Sequence, residues 1–89
     1  MKNRRVRFTA TAQEHVRREK AWWLANRDHA LQIITALPGA GTPYAQSPVP
    51  GLRRVYLRRV AAHLYYTFDN DDVIVRAFWG ARRERGPQM

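Results

Sequence analysis

The chain has 89 residues and a formal net charge of +9, which fits one domain and calls for a polyanionic partner: nucleic acid, an anionic membrane or an acidic protein segment. The absence of cysteine excludes a disulfide frame and a cysteine-based zinc site. No apolar run approaches the roughly 18 residues of a membrane span, and the N-terminus lacks a signal-peptide core, so a soluble cytoplasmic protein is expected. Arginine supplies 14 of the 16 basic residues, a bias that suits planar, bidentate recognition of phosphate or carboxylate.

Arg4-Arg5-Val6-Arg7-Phe8-Thr9 alternates polar and apolar side chains, the mark of a half-buried strand. Thr11, three residues before Glu14, has the spacing of a capping box, and a helix is expected from about Ala12 to Ala25. Its stripe is Ala12, Val16, Trp22 and Trp23, interrupted by Glu19 and Lys20, whose long side chains can snorkel. Asn26-Arg27-Asp28 reads as a connector, with Asp28 as the N-cap of a second helix. Ala30, Ile33, Ile34 and Leu37 then mark one helical face, ended by Pro38-Gly39. Two helices so joined form an αα-hairpin. Pro38 to Gly51, rich in Pro, Gly, Ala and Ser, reads as loop.

The last third carries three strands. Leu52–Arg58 places Val55 and Leu57 on one face, with Arg54, Tyr56 and Arg58 on the other. In Ala62–Phe68, Leu64, Tyr66 and Phe68 oppose His63, Tyr65 and Thr67. Asp69-Asn70-Asp71-Asp72 is a polar turn, and Val73–Trp79 is apolar enough for an inner strand. The expected fold is α+β: β-α-α-β-β-β over residues 1–89, an antiparallel sheet packed on a two-helix hairpin, with the first strand paired in the same sheet.

If Val55, Leu57, Leu64, Tyr66 and Phe68 face the helices, then Arg54, Tyr56, Arg58, His63 and Tyr65 share the opposite face. Basic groups among aromatic rings can neutralise phosphates and stack bases. Arg82, Arg83 and Arg85 extend the charge past the last strand. Trp23 and Trp79 read as packing, whereas Trp22 suits a partly exposed partner contact. His15, His29 and His63 fall on separate elements without metal-ligand spacing, and no cofactor is expected. Any catalysis by such a chain would be metal-free RNA cleavage, with basic side chains stabilising a phosphorane and His63 or Tyr65 moving protons.

Several pieces in order carry a resemblance: Trp22–Arg27, Ala36–Gly41, Pro50–Arg54, Leu57–Arg59, His63–Tyr66, Asp69–Asp72, Val73–Trp79, Ala81–Arg83 and Gly86-Pro87. Together they resemble the RelE/ParE superfamily, the small toxins of bacterial type II toxin–antitoxin pairs. The resemblance implies the β-α-α-β-β-β fold, a hetero-oligomer with an acidic antitoxin, ParD-like or similar, and one of two targets. RelE-like members cleave mRNA on the ribosome, and ParE-like members poison DNA gyrase. In the family the C-terminal tail carries basic residues for toxicity or target contact, here Arg82, Arg83 and Arg85. His63 stands where RelE-type catalysis uses an arginine, and only Arg54 and, loosely, Arg82 match the rest of that cluster. The reading is therefore a ParE-like inhibitor of gyrase, the alternatives being a ribosome-dependent endoribonuclease using Arg54, His63 and Arg82, or a non-toxic relative that only binds antitoxin. The segment Asp28–Leu37 also reads as several turns shorter than the second helix of such proteins.

Overall fold

A computed structural model of the protein describes residues 4–45, 47–58, 61–80 and 86–87. It is an α+β unit in the order β1 (Arg5–Phe8), α1 (Ala10–Arg18), α2 (Lys20–Ala36), a 3-10 turn (Pro38–Ala40), β2 (Thr42–Pro43), β3 (Arg53–Leu57), β4 (Ala62–Phe68) and β5 (Asp72–Gly80). The strands form one five-stranded sheet, ordered β1-β5-β4-β3-β2. β1 joins the same sheet, as expected, and β5 is an inner strand. The sheet is mixed rather than antiparallel: β1 runs parallel to β5, with Val6 opposite Val73 and Phe8 opposite Val75. A helical crossover returns the chain to the end where it started, so β3 follows the direction of β1. Two further reversals, through β4, give β5 that direction again.

The helices begin and divide elsewhere than the sequence suggests. Thr9, not Thr11, caps α1; its Oγ1 accepts the Ala12 N–H at 3.1 Å. Thr9 also ends β1, donating its own N–H to the Val75 carbonyl at 3.0 Å. One residue thus closes a strand and opens a helix. The helical break lies at Glu19 (φ −110°, ψ 37°) instead of at Asn26-Arg27-Asp28. Asn26 does not compete with the helix, because its side-chain amide donates to the Trp22 carbonyl one turn back, at 3.0 Å. α2 therefore runs 17 residues, about 25 Å at 1.5 Å per residue, and begins well before the Asp28 start expected for the second helix. A one-residue joint is also too short for a side-by-side hairpin, which needs a loop of about two to five residues.

The helices cover one face of the sheet. Ala12, Trp23, Ala30 and Ile34 pack on Leu57, Ala62, Leu64, Tyr66, Val73, Val75 and Phe78, with Val6, Phe8, Val16 and Val55 at the margin. Val75 and Phe78 are three apart, yet both face the helices. A register shift makes this possible: Tyr65 pairs with Ala77 but Tyr66 with Val75, so Arg76 is an extra residue on β5. Its Nε donates to the Thr67 hydroxyl at 3.0 Å. Beyond the end of β1, α1 supplies the missing edge partner, as the Phe78 N–H donates to Nδ1 of the buried His15 at 3.2 Å.

Candidate binding surface

The side of the sheet away from the helices is half covered. Pro38 to Gly51, expected as plain loop, instead contains the 3-10 turn and the short edge strand β2. The stretch after β2 folds across this side, where a second small core forms from Leu52, Tyr65 and Ala77 with Tyr44, Val49 and Trp79 packed around them. The loop is held at both ends. Tyr44 donates its N–H to the Leu52 carbonyl at 2.8 Å, and Gly51 makes the turn into β3 at φ 72°, a conformation that favours glycine. Upstream, the Tyr66 hydroxyl donates to the Pro38 carbonyl at 2.6 Å and accepts the Gly41 N–H at 3.0 Å. Arg53 adds a bond from Nη1 to the Gly41 carbonyl at 2.6 Å. Tyr66 is fully buried, and that burial raises its pKa above the usual phenol value.

The register gathers the residues anticipated for a contact surface. Arg54 lies opposite Tyr65 and Tyr56 opposite His63, while His63 in turn faces Trp79. Tyr65 shares this face but is only 2% exposed, beneath the loop, so it shapes the surface from below. Its ring meets Tyr44 edge-on at 5.1 Å and His63 at 6.0 Å. The Arg54 guanidinium stacks over the Tyr44 ring at 4.9 Å. Tyr56 is 49% exposed, with its ring 5.3 Å from that of His63. Arg58, just past β3, is exposed. Arg82, Arg83 and Arg85 lie outside the described residues. After them Gly86 rests against the loop, where a methyl group would meet the Tyr44 hydroxyl at 2.9 Å.

The electrostatics of this cluster are one-sided. Burial, and then the neighbouring Arg54 charge, hold the His63 pKa below its ordinary value. The imidazole is therefore kept neutral at neutral pH, able to accept a proton or to stack. Among the described residues the acid on this side of the sheet is Asp72, at the far end of β5, and Arg5 and Arg7 engage it at 3.0 and 4.0 Å. Among the described residues no carboxylate pairs with Arg54 or Arg58. No group of three His, Cys, Asp or Glu side chains able to hold a metal occurs among the described residues.

Trp22 is half-buried and lies on Phe78, with ring centroids 4.5 Å apart. It belongs to the margin of the helix-side core. A neighbouring groove was not legible in the sequence. It is lined by Phe8 from β1, Gln13, Val16 and Arg17 from α1, and Lys20, Trp23, Leu24 and Arg27 from α2. Leu24 is 62% exposed there. Placing the helical break at Asn26 hid this groove, because it forms at the joint around Glu19. Among the described residues no helix is long and apolar enough to cross a membrane. No protein-family model and no curated protein matches the chain.

Proposed function

We propose that this chain is the toxin of a bacterial type II toxin–antitoxin pair of the RelE/ParE kind, inhibiting growth by binding DNA gyrase and neutralised by an acidic antitoxin. The observation that supports it is the cluster of Arg54, Tyr56 and His63 on the sheet face away from the helices, with Arg58 exposed just past β3 and, among the described residues, no carboxylate paired with either arginine. Such a surface suits gripping a polyanionic or acidic target. A binding inhibitor needs no catalytic constellation, which fits a site where His63 stands in place of a transition-state arginine. Losing one such donor typically costs about a hundredfold or more in rate.

One observation favours the endoribonuclease as a second reading. A neutral imidazole beside a guanidinium pairs a proton acceptor with a group that can stabilise phosphorane charge. In that reading Arg54 and His63 act together with Arg82. Purified protein assayed on gyrase supercoiling and on translating ribosomes separates the two. Inhibited supercoiling with intact mRNA is the expected result. Ribosome-dependent cleavage with normal supercoiling would replace the inhibitor by the nuclease. Silence in both assays, with antitoxin still bound, would leave a non-toxic relative.

A further inference from the structure

The outer edge of β1 and the groove beside it form one continuous surface. Arg5 donates its N–H to Asp71 and Thr9 donates its N–H to Val75, so in a parallel ladder Arg5, Arg7 and Thr9 face β5. The backbone N–H and C=O groups of Val6 and Phe8 then point away from the sheet. β1 ends the strand order, and among the described residues nothing pairs with that side. The Val6 and Phe8 side chains lie on the helix side, and Phe8 continues into the groove with Val16 and Leu24. Arg5 and Arg7 lie on the other side, two guanidiniums sharing the single carboxylate of Asp72.

We infer that this edge takes an additional β-strand from a partner protein, with apolar and acidic residues in alternation. The partner's backbone would bond to Val6 and Phe8, its apolar side chains would enter the groove, and its carboxylates would meet Arg5 and Arg7. Charge decides against the simplest rival. Two copies of this chain pairing β1 with β1 would bring their Arg5 and Arg7 side chains together, and like charges across strands are destabilising. This surface is distinct from the one proposed for the target, and the inference does not depend on that reading.

The test uses the full chain and a synthetic peptide of about six residues, the usual strand length, alternating valine and glutamate. Amide exchange at Val6 and Phe8, followed by NMR, should slow by roughly tenfold or more at saturating peptide, while Val73 and Val75 remain as protected as before. N-methylation at alternate peptide positions should abolish the effect in one phase and spare it in the other, because only one set of amides faces β1. Absence of protection at millimolar peptide would overturn the inference. So would equal protection by a lysine-for-glutamate peptide, or protection that rises with protein concentration alone. Neither growth nor supercoiling is measured, so failure here leaves the target reading standing, and failure of that reading leaves this one.

Discussion

The two faces of the sheet are built differently. The helix side is closed by residues whose placement follows directly from alternation: Leu64, Tyr66, Val73 and Val75 point one way and are fully buried. On the opposite side the buried core among the described residues is Leu52, Tyr65 and Ala77, which a loop covers. Beyond the loop, Tyr56 and Arg58 are exposed and His63 is half-buried. One face is thus specified by secondary structure and the other by a tertiary event. The second face is where sequence alternation alone misjudges burial, and where a surface can be left open for contact.

Truncation in the two cores measures that difference most directly. Leu64→Ala removes a fully buried side chain from the large core and should cost about 2–5 kcal/mol. Leu52→Ala, in the small core, should fall in the lower part of that range, because the loop above it can settle into the space. Urea denaturation of both variants checks this. Equal losses would mean that the loop is as rigid a layer as the helices.

The bonds of Tyr66 join the two layers, since this helix-side residue holds the segment leading into the loop. A Cβ at Gly41 would run into the Tyr66 hydroxyl, so Gly41→Ala should cost about 1–3 kcal/mol through overpacking. Tyr66→Phe removes the partner of the buried Gly41 N–H and should cost about 1–3 kcal/mol. The double variant should lose less than the sum, because the phenyl ring leaves room for the new methyl group. Strict additivity in a denaturation cycle would show that Tyr66 does not act through Gly41.

What the sequence made legible follows the same division. Alternation placed β1, β3 and β4 and sorted their side chains, since a strand buried on one side leaves a period-two record, whereas β5 was legible only as an apolar run, its period broken at Arg76. It also put Arg54, Tyr56, His63 and Tyr65 on one face. It could not reveal that Tyr65 is covered, because the covering residues Tyr44, Val49 and Leu52 sit in a segment without periodicity. The helical break was misplaced for a local reason. Asp28 has the chemistry of a cap, but caps compete with continued helix, and packing of Trp23, Ala30 and Ile34 on the sheet decided for α2. The parallel β1–β5 pairing is a product of chain routing, which no single strand encodes.

His63, at the boundary between covered and open surface, gives a smaller, pH-dependent signal. Its native pKa lies below the ordinary 6.5, through burial first and Arg54 second. The unfolded chain therefore binds the proton more readily than the native one. The stability this contributes is fully present above about pH 6.5 and declines as pH falls through the lowered native value. Denaturation midpoints at pH 7.5 and 5.5 should drop less for His63→Asn than for the natural chain. An identical drop in both would place the acid sensitivity at other groups.

The smallest effect on stability should accompany the largest effect on function. Arg54 is a poor choice for separating the two, because it stacks on Tyr44 and its reversal would loosen the loop. Tyr56 and Arg58 are exposed, and neither helps to form the small core. The pair Tyr56→Ser and Arg58→Glu should shift unfolding free energy by no more than about 0.5 kcal/mol, as is usual for surface sites. Under the proposed function it should also abolish growth inhibition when the chain is expressed without its antitoxin. If growth is still arrested by a double variant of unchanged stability, the open half of the outer face is not the working surface. Arrest lost together with stability would instead mean that Tyr56 supports the fold through His63, and the comparison would then rest on Arg58→Glu alone.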